Sequence, residues 1–237
     1  MSRAVVIFGG LGGIGRAFAA ALGPRLSPSE SLFVTTRRRQ GESVAGAQIL
    51  EGIDVCDERT IARASGLVKE ACPEGVKLLI NCAGILHEDS KRPERTVERV
   101  DRDWMARNME INAIGPALIA KHFAPMLGAD AKLVTLSARV GSIGDNGLGG
   151  WISYRASKAA QNQITRTVAI ELKRKKVMCI GIHPGTVQTQ LSDPFKVAPS
   201  KLFTPDLAVA KMLKVIDNLT LEQTGQVFAY DGTVIPW

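Results

Sequence analysis

Apolar runs of about strand length alternate with longer amphipathic stretches along the chain. The apolar runs cover residues 4–8, 32–36, 49–53, 77–81, 132–136, 177–183 and 226–230. Strands separated by helices form parallel sheets, and a strand buried on both faces is apolar throughout. The pattern predicts an α/β fold, a doubly wound seven-stranded parallel sheet with helices on both faces, in a single domain over residues 1–237.

A glycine-rich turn follows the first apolar run and leads into an Ala-rich helical segment. Gly9, Gly13 and Gly15 let the backbone turn sharply and approach a diphosphate, which the N–H groups of the following helix would face. The spacing G-x-x-x-G-x-G differs from the common G-x-G-x-x-G fingerprint, so a merely flexible turn is the alternative. In such a Rossmann fold, right-handed crossovers place the ligand crevice at the carboxyl ends of the strands.

The second apolar run ends in a basic segment. Residues 37–39 are all arginine, and no Asp or Glu lies between Ser31 and Gln40. In this type of fold an acid at that point binds the ribose 2′-hydroxyl, whereas an arginine such as Arg37 pairs with a 2′-phosphate. The segment predicts NADP(H) in preference to NAD(H), with a solvated basic loop as the alternative.

Polar and small residues follow the next two runs. Asp54 either caps the helix that begins near residue 57 or contacts an adenine amino group, and the local pattern favours the cap. The segment 81–84, Asn-Cys-Ala-Gly, would let a ligand lie against the backbone. Asn112 stands in an apolar part of a helix predicted over 104–126, either bonded to backbone or as a polar relay toward a site.

Tyr154 and Lys158 are four residues apart and share one face of a predicted helix. An adjacent ammonium favours the phenolate and lowers the tyrosine pKa from its ordinary value of about 10. A tyrosine tuned in this way can donate a proton to a carbonyl oxygen while a nicotinamide supplies hydride. On its own this spacing is also common on solvated helices.

Composition describes an ordinary globular protein of 237 residues with a net charge of +7. The basic residues are scattered without an aromatic–basic pattern, which argues against nucleic acid as a partner. The charged region 87–107 is nearly balanced, which is typical of a solvated loop and helix start. The four cysteines lack metal-ligand spacing, so no metal site is expected. Without an apolar run of membrane-spanning length or a leader at the N-terminus, a cytoplasmic protein is expected.

The motifs occur together in the order found in the short-chain dehydrogenase/reductase family, which the chain resembles over almost its whole length. The matching features are the glycine turn, the segment 81–84, Tyr154-x-x-x-Lys158 and Pro184-Gly185. More narrowly, residues 137–143, 149–160 and 230–237 resemble the C-factor and Sniffer-like carbonyl reductase branch.

The resemblance implies a role for each matching residue. Tyr154 would be the catalytic acid/base, Lys158 would bind the nicotinamide ribose and lower the tyrosine pKa, and Asn112 would hold a water joining Lys158 to solvent. The residues that would bind the cofactor are Gly9, Gly13, Ile14 and Gly15 at the pyrophosphate, Arg37 at the 2′-phosphate, Asp54 and Val55 at the adenine, Asn81, Ala83 and Gly84 on the adenosine side, and Pro184, Val187 and Thr189 at the nicotinamide. Family habit implies a homodimer or homotetramer, with helices beginning near Trp104 and Ile152 between subunits.

One position departs from the family pattern. The family usually has Ser-Ser at 137 and 138, and the second serine polarises the substrate carbonyl, whereas this chain has Ala138. Adjacent strand residues face opposite sides, so Ser137 would act as the catalytic donor only after a local rearrangement, and Ser142 is another candidate. Loss of one such donor typically costs about 10² to 10³ in rate.

The sequence therefore predicts an NADP(H)-dependent enzyme that reduces the carbonyl of a small molecule to an alcohol. Because of Ala138, a cofactor-binding signalling or regulatory protein with a weakened reductase site is the alternative. Residues 190–203 are expected to form a short lid over the substrate. Its apolar members, which favour an apolar or aromatic carbonyl compound, are Leu191, Phe195, Val197 and Leu202.

Overall fold

A computed structural model describes residues 2–37, 43–88, 90–193 and 198–237. Its centre is a seven-stranded sheet in the order β3-β2-β1-β4-β5-β6-β7, with every neighbouring pair parallel. The strands are β1 Arg3–Phe8, β2 Glu30–Thr36, β3 Ala47–Glu51, β4 Val76–Asn81, β5 Leu127–Leu136, β6 Met178–His183 and β7 Val227–Ala229. The predicted doubly wound sheet is confirmed, and each predicted strand is present, although β5 begins five residues before the predicted start at 132.

The central part of the sheet is buried because helices cover both of its faces. The helices are α1 Gly13–Leu22, α2 Glu58–Ala71, α3 Arg102–Met109, α4 Gly115–Phe123, α5 Ile152–Leu172 and α6 Pro205–Asp217. One core joins the sheet to α1 and α6 through residues such as Phe18 and Met212. The other core joins the opposite face to α2, α4 and α5 through residues such as Ile61, Phe123 and Leu172. No helix within the described ranges is long and apolar enough to cross a membrane.

The strand order reverses direction between β1 and β4. β1 begins the half that continues to β2 and β3, and β4 begins the half that continues to β5, β6 and β7. Connections leave the sheet in opposite directions at this point, so a crevice opens at the carboxyl ends of the central strands. The glycine-rich turn, the segment after β4 and the residues that follow β5 and β6 all lie at this edge.

The single helix predicted over 104–126 is wrong in detail. α3 and α4 are separated by a π-helical turn, Glu110–Ile114, that contains Asn112. Pro116 has no N–H, so the ordinary α-helical bond to the carbonyl four residues earlier, that of Asn112, cannot form. Single π turns inside longer helices are frequent at functional sites.

Candidate active site

The glycine turn after β1 is too tight for larger side chains. Gly9 has φ +67°, and a Cβ on Gly15 would lie 2.4 Å from the Gly9 carbonyl oxygen. Gly12 is the N-cap of α1, so among the described residues no side chain caps the first N–H groups of this helix. A close backbone approach and a helix N-terminus without acidic residues in its first turn suit a diphosphate.

The segment after β4 forms the neighbouring wall of this cradle. A Cβ on Gly9 would lie 3.0 Å from the backbone nitrogen of Ala83. Asn81 is 1% exposed and accepts a 3.0 Å hydrogen bond from the Ala83 N–H, while its buried Nδ2 has no partner among the described residues. An unpaired buried donor is costly, so an acceptor from a bound cofactor would suit this position.

The basic segment lies at the carboxyl end of β2. Arg37 is exposed and directly follows that strand. Arg38 and Arg39 lie outside the described residues. An exposed guanidinium at this edge is positioned to meet an anionic group at the adenosine end of the crevice.

Asp54 has a different local role from the predicted helix cap. Its Oδ1 accepts a 2.9 Å hydrogen bond from the Cys56 N–H and closes a short turn. The α2 cap is Asp57 instead, whose side chain accepts from the N–H of Arg59. Val55 is buried against Gly115 of α4, where a Cβ would lie 3.0 Å from the valine Cβ.

The loop after β6 reaches across the crevice to the glycine turn. Pro184 and Gly185 open this loop, and Gly185 has φ +79°. Val187 is buried and pairs with Phe203 in a parallel bridge. A Cβ on Gly13 would lie 2.8 Å from the Thr189 methyl group, so the predicted pyrophosphate and nicotinamide residues meet here.

The predicted lid, residues 190–203, begins just after this loop and ends beside it. The N–H of Gln188 donates to the Phe203 carbonyl, and the N–H of Phe203 donates to the Thr186 carbonyl, both at 2.9 Å. A cavity of about 410 Å³ is lined by this segment and by the ends of β6 and β7. Leu191 is 39% exposed, whereas Phe195 and Val197 lie outside the described residues. The lid stays a prediction.

Tyr154 and Lys158 lie on the first turns of α5, and both are buried. The lysine Nζ is 5.9 Å from the centroid of the Tyr154 ring, and the Trp151 ring meets the same ring edge-on, with 6.3 Å between the ring centroids. A Cβ on Gly84 would lie 3.6 Å from Nζ, which places the ammonium beside the segment after β4. The structure thus brings these two predicted residues to the edge that carries the glycine cradle.

Burial changes the pKa of both side chains. It lowers the pKa of Lys158 to about 7 and raises the pKa of Tyr154 above its usual range. The expected lowering of the Tyr154 pKa is therefore wrong for this structure. The physical reason is that desolvation by burial disfavours the phenolate, while the Lys158 Nζ donates to the Leu136 carbonyl at 2.9 Å and to Gln161 at 2.7 Å. A tyrosine with a raised pKa stays protonated, which is the form that donates a proton.

Asn112 joins α5 to the segment after β4. Its Oδ1 accepts from the Ile85 N–H at 2.8 Å, and its Nδ2 donates to the Ile85 carbonyl at 2.9 Å and to the Ser157 hydroxyl at 3.0 Å. The side chain therefore makes the backbone hydrogen bonds that sequence reasoning offered as one alternative. Its implied water-holding role stays a prediction.

Ala138 lies beside Tyr154 in an apolar cluster with Leu86, Val140 and Trp151. The two serines considered as replacements have other partners. The Ser137 hydroxyl donates to Asn162 Oδ1 at 2.6 Å. The Ser142 hydroxyl accepts from the Asp145 N–H and donates to the Trp237 carbonyl. Their hydrogen bonds hold α5 and the C-terminal segment, so a catalytic role for Ser137 stays a prediction.

Two buried residues near Tyr154 and Lys158 were not predicted from the sequence. Glu94, 4% exposed, accepts from the hydroxyl and N–H of Ser153, and its carbonyl accepts from the Trp151 N–H, which ties it to the start of α5. It stands in the charged region interpreted as solvated. Gln161 was detectable, because it continues the helical face of Tyr154 and Lys158 at i+7 and i+3.

Comparison with known proteins agrees with this geometry. The short chain dehydrogenase family profile matches residues 3–198. A curated relative, 1-hydroxy-2-glutathionyl-2-methyl-3-butene dehydrogenase from Rhodococcus sp. (strain AD45), is 35% identical over 82% of this chain and 83% of its own length. C-signal from Myxococcus xanthus is 36% identical over 70% of this chain and 95% of its own length.

Among solved structures, the NADPH-bound carbonyl reductase from chicken fatty liver superposes with a TM-score of 0.88 at 29% identity. That likeness covers 100% of this chain and 94% of the other. The carbonyl reductase Sniffer of D. melanogaster shares the fold, with a TM-score of 0.87 at 24% identity and full coverage of both chains. With the profile match covering most of its length, the chain belongs to the short-chain dehydrogenase family of oxidoreductases.

Proposed function

We propose that this protein is an NADP(H)-dependent reductase that converts the carbonyl of a small molecule to an alcohol. The observation that carries the proposal is the buried Tyr154–Lys158 pair at the carboxyl edge of the sheet. The glycine cradle opens on the same edge. A proton donor and a dinucleotide site that share one crevice are what hydride transfer to a carbonyl requires.

Each group has a defined task in this reaction. When bound, NADPH supplies the hydride for the carbonyl carbon. Tyr154, kept protonated by burial, donates its proton to the carbonyl oxygen. Lys158 would hold the nicotinamide ribose by hydrogen bonds and would stabilise the phenolate that Tyr154 becomes. Alcohol oxidation would use the same groups in reverse, which agrees with a relative named as a dehydrogenase.

The phosphorylated cofactor is favoured by charge at the end of β2. Arg37 is exposed there, and no acid lies between Ser31 and Gln40 to bind a free 2′-hydroxyl. One neighbour of known structure is a carbonyl reductase bound to NADPH, which supports the same choice.

The substrate side of the crevice is apolar near the proton donor. Leu86, Ala138, Val140 and Trp151 pack around Tyr154. We expect aliphatic and aromatic aldehydes and ketones to be better substrates than highly polar sugars, because Leu86, Ala138 and Val140 offer no hydrogen bonds.

The test is Tyr154→Phe. We expect NADPH oxidation across a panel of aldehydes and ketones to fall by a factor of about 10² to 10⁴, because general acid catalysis is lost. The Kd for NADPH, measured by fluorescence titration, should stay within a few-fold of wild type because the ring is retained. Undiminished turnover in Tyr154→Phe would refute the role given to this residue.

The second candidate is a cofactor-binding regulatory protein, which Ala138 favours. With the Ser137 hydroxyl bonded to Asn162, the site lacks the usual serine beside the carbonyl. Tight NADPH binding without turnover by either wild type or Ala138→Ser, across carbonyls and alcohols, would support this candidate and reject the reductase.

The assembly proposed from family habit is a homodimer or homotetramer in which α3 and α5 pack between subunits. Apolar side chains near these helices are exposed in the single chain, including Ile170 at 62% and Ile114 at 51%. Light scattering after size exclusion should give a mass of two or four chains, and a single-chain mass would reject the assembly. The cytoplasmic location stays a prediction.

A further inference from the structure

Gln161 forms a closed hydrogen-bonded triangle with Lys158 and β5. Lys158 Nζ donates to Gln161 Oε1 at 2.7 Å and to the Leu136 carbonyl at 2.9 Å. Gln161 Nε2 donates to the same carbonyl at 3.1 Å. Gln161 is 1% exposed and Lys158 is 4% exposed, so water has little access to these bonds.

A buried ammonium needs acceptors to remain charged. Desolvation disfavours the charged form of Lys158, and hydrogen bonds to that form oppose this effect. Bonds to a charged group are roughly twice as strong as neutral ones. Of its two acceptors among the described residues, the Leu136 carbonyl belongs to the backbone and cannot be changed by a side-chain substitution. Gln161 is therefore the side chain that supports this charge.

The same triangle sets where the ammonium points. Tyr154, Lys158 and Gln161 share one face of α5, at i, i+4 and i+7. Gln161 draws Nζ toward the end of β5, where it lies 5.9 Å from the Tyr154 ring centroid and beside Gly84. Loss of the amide would leave Nζ with one fixed acceptor and more rotational freedom.

We propose that Gln161 is a positioning residue that keeps the Lys158 ammonium charged and directed at the crevice, and that Tyr154 depends on it through Lys158. The role rests on the proposed function, in which Lys158 supports the tyrosine. Gln161 touches neither the reacting atoms nor, in this arrangement, the Tyr154 phenol.

The other ionisable groups around Lys158 come from its own helix and from three other parts of the sheet edge. Tyr154 lies on its own helix and His183 at the end of β6, while Arg139 after β5 and Asp231 after β7 act on His183. His183 is neutral near pH 7, since burial and the nearby cations lower its pKa to about 4. Within the described part of the chain, the acceptors of Lys158 are neutral, so removal of one acts directly on its charge.

The decisive experiment measures the titration midpoint of the Lys158 side chain. The Cε chemical shift of Lys158 is titrated by NMR in protein with isotope-labelled lysine, assigned with Lys158→Arg. In Gln161→Met the titration midpoint should fall by about one pH unit, a tenfold change in the proton affinity of Lys158. Gln163→Met on the exposed side of α5 is the matched control and should leave the midpoint unchanged, because Gln163 bonds to Thr167 instead.

Gln161→Glu keeps the acceptor and the size if the methionine variant fails to fold. A carboxylate beside Nζ should raise the midpoint above that of wild type, whereas Gln163→Glu should not. In the steady state, Gln161→Met should raise the apparent pKa of alcohol oxidation, because a neutral Lys158 no longer favours the phenolate. A loss of packing alone would lower the rate without moving that pKa.

An unchanged Lys158 midpoint in both Gln161 variants would overturn the proposal. The titration does not need turnover, so a wild-type protein without activity would reject the reductase while still deciding the role of Gln161. Shifted midpoints with unchanged Gln163 controls would support it in either case.

Discussion

Ala138→Ser tests whether the site lacks one oxyanion donor. Ala138 is 8% exposed and its methyl group packs beside Tyr154 and Leu86. A hydroxyl on this Cβ would lie near the proton donor, where the carbonyl oxygen of a substrate is expected. Such a donor is typically worth about 10² to 10³ in rate. We expect a gain of about 10 to 10² in kcat/KM, because the apolar surroundings are not arranged to orient a new hydroxyl.

The same change has a stability cost that can be measured separately. A hydroxyl buried without a partner costs about 1 to 3 kcal/mol in proteins. For a domain of this size, each kcal/mol lowers the Tm by about 2 to 4 °C. The control is Ala131→Ser, which buries a hydroxyl elsewhere on β5, where Ala131 is 0% exposed. It should lower the Tm without raising kcat/KM.

The assay is NADPH oxidation with the best carbonyl of the panel, alongside the Kd for NADPH. An Ala138→Ser variant that folds and binds NADPH like wild type, yet shows no gain in kcat/KM, would refute the inference that the missing serine limits the rate. An equal gain in Ala131→Ser would refute it as well, because that residue lies in the core away from Tyr154.

Two further predictions concern cofactor choice and pH. Arg37→Glu should raise the Kd for NADPH about tenfold, about 1.4 kcal/mol, and leave the Kd for NADH nearly unchanged, because only NADPH carries the 2′-phosphate; equal changes in both constants, measured by fluorescence titration, would reject the contact. Burial lowers the pKa of His183 to about 4, so between about pH 4 and 6.5 the unfolded chain binds more protons than the folded protein, and stability falls as pH falls through this range. His183→Gln should make the Tm less sensitive to acid, because it removes at most about 3 kcal/mol of the pH-dependent change in the free energy of unfolding. An unchanged pH profile of the Tm would contradict the lowered pKa of His183.

Much of the fold was predictable because the spacing of hydrophobic residues and the positions of glycines determine the local conformation of the backbone. Continuous apolar runs separated by helical stretches predicted the parallel sheet, and the right-handed crossovers between its strands predicted which edge carries the crevice. The helix over 104–126 was predicted as continuous because an apolar section, residues 111–120, lies in its middle. Its π turn depends on the missing N–H of Pro116 together with Asn112, whose side chain is held by Ile85 from another segment.

By itself, the sequence determined the fold class, the glycine cradle and the Tyr154–Lys158 pair, because turn chemistry and helical spacing are properties of neighbouring residues. The tertiary structure decided what surrounds that pair. Whether an ammonium meets a phenol, a carbonyl or an amide depends on distances between segments far apart in the chain, and so do burial and the pKa changes that it causes. For this reason the direction of the Tyr154 pKa shift and the partners of Ser137 and Gln161 became apparent only when α5 was packed against β5.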